Sequence, residues 1–213
     1  MHSERGKRVN KFGIMAIAAL ATLGWSGAAN AFTLHDHLQV KVGVATVNPD
    51  EDADVSVIGG DVNISNEVVP TVQLEWFFTD HISAELLCCV TTHDVYATGG
   101  GGVDLGSVTL FPPTVTVKYR WNTEGKLQPY LGAGVNYTHF FNEDEPSGTT
   151  VEYDDSWGPA LQVGADYRLN DRWSLNLDAR RLWINTDVTV NGAVEADVDI
   201  NPWVVTAAVG YRF

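Results

Sequence analysis

Apolar and polar residues alternate one by one through most of this chain, and the alternation is longest between Ser156 and Trp183. Trp157, Pro159, Leu161, Val163, Ala165, Tyr167 and Leu169 fall in one phase, and Gly158, Ala160, Gln162, Gly164, Asp166 and Arg168 in the other. After the polar Asn170-Asp171-Arg172, Trp173, Leu175, Leu177 and Ala179 alternate with Ser174, Asn176, Asp178 and Arg180. A period of two belongs to a strand, whose successive side chains point to opposite faces, whereas a helix would scatter both sets. The stretch therefore predicts a hairpin. Its two runs are long beside the roughly five or six residues of an ordinary soluble strand, and Tyr167, Leu169 and Trp173 put bulk beside the turn. Length and aromatic placement together suit a membrane-crossing hairpin with an interfacial belt.

The rest of the chain repeats the pattern. Strands are predicted at Leu38–Val47, Val68–Phe78, Ile82–Val95, Val108–Trp121, Leu127–Phe141 and Pro202–Phe213, in addition to the two of the hairpin. Short polar turns at 79–81, 122–126 and 170–172 alternate with longer segments that read as exposed loops: the acidic 48–66 and 142–155, the glycine-marked 97–107, and 188–200. The expected fold is all-β, an eight-stranded antiparallel transmembrane β-barrel with short periplasmic turns and long extracellular loops. A soluble lipocalin-type barrel would turn its apolar face inward and its polar face to water. Here one phase holds Lys41, Glu75, Glu85, Lys118, Asp166 and Arg168 and the other is almost wholly Val, Leu, Trp and Tyr, so polar-in and apolar-out is the better assignment.

The ends and the composition agree. Arg5, Lys7, Arg8 and Lys11 precede the apolar run 14–23, and Ala29-Asn30-Ala31 is a small-x-small cleavage pattern, so residues 1–31 read as a secretory signal peptide and 32–213 as the barrel. No later segment is apolar for long enough to make a spanning helix, which leaves a closed barrel as the way to satisfy backbone amides in lipid. The whole chain carries a formal charge of −14, and the loss of four basic residues and Glu4 makes the remainder more acidic still. Nucleic acid is not an expected partner, because no basic surface faces phosphate. The adjacent Cys88 and Cys89 point to opposite faces of a strand and read as small apolar fillers.

Several runs resemble the OmpW family and, more distantly, its alkane-uptake relative AlkL: Phe111 to Tyr119 (FPPTVTVKY), Gln128 to Thr138 (QPYLGAGVNYT), Ser156 to Tyr167 (SWGPALQVGADY), Asn170-Asp-Arg-Trp173 and the terminal Gly210-Tyr-Arg-Phe213. The resemblance implies an outer-membrane barrel with a hydrophobic channel that passes small hydrophobic molecules.

Sorted by height, the inward phase divides. Near the short turns lie Lys41, Glu75, Glu85, Lys118, Arg120, Asp166, Arg168 and Arg212, which are expected to pair and plug the periplasmic mouth, since eight strands leave room for little more than side chains. Near the long loops the same phase carries Val47, Val69, Cys89, Ile184 and the ligand-lining candidates Leu87, Phe140, Leu182 and Val204. An apolar molecule has no reason to cross the ionic layer, so a sideways exit is expected where Pro112, Pro113 and Pro159 cannot donate to the ladder. Tyr211 and Phe213, alternate aromatics of the last strand, are the expected signal to the barrel-assembly machinery. Outer-membrane lipid, lipopolysaccharide reached by Arg181 and by cation-bridged acidic loops, and a small hydrophobic ligand are the other expected partners. No cofactor or metal is implied, although His35-Asp36-His37 has ligand types. His81, His93 and His139 show no Ser or Asp partner at a recognisable spacing, so no enzyme is expected. The competing class is a non-transporting barrel for adhesion, support or stress tolerance, which would share every fold signal but carry polar networks through its upper lumen.

Overall fold

The computed structural model describes residues 37–50, 52–55, 62–97, 103–144, 150–190 and 194–213; the expected signal peptide, His35 and Asp36 lie outside them. In chain order the strands are β1 (Leu38–Asn48), β2 (Asp52–Val55), β3 (Val62–Ile64), β4 (Glu67–Phe77), β5 (Ile82–Cys88), β6 (Thr91–Ala97), β7 (Val103–Phe111) and β8 (Thr114–Arg120). They continue with β9 (Leu127–Asp144), β10 (Val151–Tyr153), β11 (Ser156–Arg168), β12 (Trp173–Leu182), β13 (Asn185–Val190), β14 (Val194–Asp199) and β15 (Trp203–Arg212).

Eight of these close a barrel in the order β11-β12-β15-β1-β4-β5-β8-β9, with β9 pairing back onto β11 and every pairing antiparallel. Closure leaves no sheet edge, the condition for putting strands in lipid. The ladder is strongly staggered. Partners followed from Lys41 through Gly210 and Ser174 arrive at Arg168 of β11, whereas partners followed the other way, through Gln73, Leu87, Thr114 and Asn136, arrive at Gly158 of the same strand. That stagger tilts every strand and sets which inward side chains share a level.

Side chains divide as the alternation predicts. Lys41, Glu75, Glu85, Lys118 and Asp166 are buried in the lumen, while Leu177 is 62 % exposed and Trp157 73 % exposed on the outer wall. Tyr119, Trp121, Tyr167, Trp173 and Phe213 ring the short-turn end, and Trp157, Trp183 and Trp203 the other. Within the lower ring Trp173 meets Tyr211 edge-on at 4.9 Å and Tyr211 meets Phe213 at 5.1 Å. An apolar wall between two aromatic girdles matches the thickness profile of a bilayer.

Two expectations need correction. The four long segments expected as loops carry strands: β10-β13-β14-β2 form a four-stranded sheet, and β3, β6 and β7 extend the wall beside the upper part of β9. In 188–200, expected as a loop, Asp197 is exposed, whereas Val188, Val198 and Ile200 turn into the apolar core. The strands expected at Ile82–Val95 and Val108–Trp121 are each interrupted, at Cys89-Val90 and at Pro112-Pro113. Two adjacent prolines remove two consecutive ladder donors, which ends β7 and restarts the chain as β8.

Candidate functional site

The lower lumen is an ion network. Lys41 Nζ lies 2.6 Å from Glu75 Oε2 and 2.7 Å from Glu85 Oε2, and Lys118 Nζ reaches the same two oxygens at 2.8 and 2.9 Å. Arg120 Nη2 joins Glu75 at 3.0 Å to Asp166 at 2.6 Å, and Arg180 Nη2 joins Glu85 at 2.6 Å to Asp178 at 3.4 Å. The outer contacts are neutral: Ser83 donates to Glu75, Gln162 to Glu85 and Asn176 to Asp166. Tyr130 lies within this network, with Lys118 Nζ 4.1 Å from its ring centroid and its hydroxyl accepting from Asn176 at 2.9 Å. Four cations, Lys41, Lys118, Arg120 and Arg180, face four carboxylates, Glu75, Glu85, Asp166 and Asp178. Such a group is stable out of water only while every member keeps its partners.

Six of the eight residues expected at the periplasmic end are thus brought together, and two are not. Arg168 donates to the Glu124 carbonyl in a turn at 2.6 Å, and Arg212 lies over the Phe77 ring at 4.1 Å; both line an open vestibule of about 580 Å³ below the network. Asp178, Arg180 and Tyr130 were missed. All three sit in the inward phase, so alternation marks them as luminal; their level comes from the stagger, which puts Arg180, near the top of β12, in one hydrogen-bonded row with Gln162, Gly132 and Lys118. Glycines on the inner face make the room: a Cβ at Gly164 would stand 2.6 Å from the Tyr130 hydroxyl, and one at Gly132 3.1 Å from the Lys118 stem.

The upper lumen is apolar. Val47, Leu87, Cys89, Pro112, Leu182 and Val204 surround a cavity of about 30 Å³, and Thr91 and His93 line it with them. Three of the four lining candidates therefore border it. Phe140 belongs to the surrounding apolar cluster, stacked on Tyr153 at 5.5 Å.

The wall is discontinuous at this level. β5 pairs with β8 up to Leu87–Thr114, and pairing resumes between β6 and β7 at Thr91–Leu110. On the other side β4 pairs with β5 up to Val72–Cys88, and β3 with β6 only from Ile64–Val95. Among the described residues Cys89 and Val90 therefore have no ladder partner on either side, and Cys89 and Pro112 line the cavity itself. Asn136 Nδ2 donates to the Pro112 carbonyl at 3.2 Å and to Thr114 Oγ1 at 2.9 Å, so the break has a side-chain cap. Pro159 is placed apart from it: the β9–β11 ladder runs unbroken past Pro159, and Trp183 N donates to its carbonyl.

Similarity to known proteins follows the same architecture. Residues 35–213 match the model of the OmpW family. The chain belongs to that family. It is 35% identical over 213 residues to outer membrane protein W of Vibrio cholerae, covering 92% of this chain and 98% of that one. It is 30% identical over 184 residues to the dibenzothiophene metabolism operon protein PahQ of Pseudomonas aeruginosa, covering 81% and 87%. The crystal structure of OprG from Pseudomonas aeruginosa superposes with a TM-score of 0.78 at 30% identity, over 84% of this chain and 96% of that one. This OmpW-family chain is accordingly an eight-stranded barrel of the outer membrane.

One of the three histidines has an acid beside it in space, at a separation that no sequence spacing marks. His139 Nδ1 lies 2.7 Å from Asp155 Oδ1, and the Tyr137 hydroxyl donates to Asp155 Oδ2 at 2.5 Å. Sixteen residues separate the pair in sequence, and the β9–β11 ladder closes that distance. The group faces outward beside Trp157, on which Tyr137 packs at 4.7 Å.

Proposed function

We propose that this barrel admits small hydrophobic molecules from outside into the apolar upper lumen and releases them sideways into the bilayer between the β5–β6 and β7–β8 breaks. The observation that carries this reading is that the unpaired Cys89 and the Pro112 carbonyl strand-break are also lining residues of the apolar cavity. Passage straight down would part Lys41, Lys118, Arg120 and Arg180 from their carboxylates without replacing the bonds, so the network acts as a floor. The name of PahQ ties one relative to the metabolism of a hydrophobic aromatic sulfur compound, in keeping with such cargo. Tyr211 and Phe213 serve as the assembly signal. Arg181, in the upper girdle over Trp203 at 5.5 Å and bound to Asp50, is the residue offered to a lipopolysaccharide phosphate.

About 30 Å³ is the space of a single water, so a ligand must part the side chains around it. That filled state favours a second reading, a non-transporting structural or adhesion barrel. One crosslink separates the two. Val90→Cys with Phe111→Cys, in a Cys88→Ser, Cys89→Ser background, bridges the break at the positions that the Thr91–Leu110 register would pair. Oxidised cells should lose uptake of radiolabelled octane and regain it on reduction. Undiminished uptake by the crosslinked barrel overturns the lateral route; uptake no greater than that of cells lacking the protein overturns transport.

A further inference from the structure

Next to the residues that line the apolar cavity stand polar atoms that the ion network does not use. Gln73 stands directly across from Leu87 in the β4–β5 ladder, and Arg180 directly across from Val204 in the β12–β15 ladder; Leu87 and Val204 both line the cavity. Thr206 is the next inward residue below Val204, and Thr71 the next above Gln73. All four are buried to 1 % exposure or less. Among the described residues no partner is present for Gln73 Oε1 or Nε2, Thr71 Oγ1, Thr206 Oγ1, or Arg180 Nε and Nη1. Only Arg180 Nη2 is engaged, by Glu85 and Asp178.

Unpaired polar groups out of water are costly, and here several of them stand beside residues that line one cavity. A bare hydrocarbon resting there would leave the cost in place. A molecule with a polar end would remove it. The charge balance limits what that end is: four cations already face four carboxylates in the layer beneath, so a carboxylate head would bring an uncompensated charge out of water. A hydroxyl or carbonyl accepts from Arg180 Nε–H or Gln73 Nε2–H and adds no charge.

We infer that the upper lumen selects amphiphiles, small molecules with an apolar body and an uncharged hydroxyl or carbonyl head, held head-down on the shelf formed by Gln73, Arg180 and Thr206. The inference rests on reading the upper lumen as a ligand pocket. It specifies the cargo as oxygen-bearing rather than purely hydrocarbon.

The test is a titration of the full chain in lipid nanodiscs with n-octane, 1-octanol and sodium octanoate, followed by NMR of Leu and Val methyls and of Gln and Arg side-chain N–H groups. Octane and octanol should both shift the methyls of Leu87, Leu182 and Val204. Octanol alone should shift the Gln73 amide and the Arg180 Nε–H, with a midpoint roughly 5- to 10-fold lower than that of octane at equal lipid loading, as one or two net hydrogen bonds would give. Thr206→Val and Gln73→Leu should each bring the octanol midpoint toward that of octane; the isosteric Thr206→Val keeps the test intact if the other variant does not assemble. Equal midpoints for octane and octanol, with Gln73 and Arg180 unmoved, overturn the head-group shelf and leave the pocket standing. Tighter binding of octanoate than of octanol overturns the uncharged head. Methyls that respond to none of the three overturn the pocket reading itself, and the shelf with it.

Discussion

The two halves of one lumen are built from the same strands in the same inward phase, yet the lower half is held by ions and the upper by aliphatic side chains. In the lower half Glu85 alone meets Lys41, Lys118, Arg180 and Gln162, and no member can move without costing another a partner. In the upper half Leu87, Leu182 and Val204 make contacts without direction, which re-form after a displacement. The wall follows the contents: it is continuously paired around the network and broken at Cys89-Val90 and Pro112-Pro113 beside the apolar cavity. The difference assigns rigidity to one half and adaptability to the other.

The strongest way to break this comparison is to remove one charge from the lower half. Glu85→Gln leaves three buried cations short of a partner and should destabilise the barrel by about 3–5 kcal/mol, whereas Leu182→Ala in the upper half should cost about 2 kcal/mol, near the lower limit for a buried leucine. Urea unfolding in lipid vesicles measures both; an equal loss would mean that the two halves are equally rigid. A smaller effect sharpens the role of the inner-face glycines. Gly164→Ala puts a methyl against the Tyr130 hydroxyl and the Asp178 stem, and should cost about 1–3 kcal/mol as overpacking, with the NMR signals of Tyr130 and Asn176 displaced and those of the upper-lumen methyls unchanged. If the upper methyls move as much, the layers are mechanically one.

The smallest effect belongs to the ions outside the wall. The Tyr137 hydroxyl, and after it His139, hold the Asp155 carboxyl below the usual carboxylate range. A carboxyl depressed in the folded state stabilises it above the unfolded value, about pH 4, and that contribution is lost as pH falls through the folded value. A carbon-13 titration of Asp155 should show the depressed midpoint, and Tyr137→Phe should return it toward the ordinary value with little change in unfolding, since Asp155 is exposed and solvent screens its contacts. A midpoint unchanged in Tyr137→Phe would assign the shift to His139 instead.

Period-two alternation by itself determined the eight wall strands, the turn positions and the inward phase of Lys41, Glu75, Glu85, Lys118, Arg120 and Asp166, because which face a side chain takes is a local property of an extended backbone. It also separated an ionic from an apolar end along that phase. The tertiary structure decided what depends on partners distant in sequence. Arg180 meets Glu85 across 95 positions only because the stagger lifts one strand against the next, and Arg168 and Arg212, close to the others in height along their own strands, fall outside the network for the same reason. Strands β13 and β14 depend on pairing with each other and with β10 and β2, and the wall break needed two interruptions, one at prolines and one at Cys89-Val90, to fall side by side. Phase is written residue by residue; level and adjacency belong to the closed ladder.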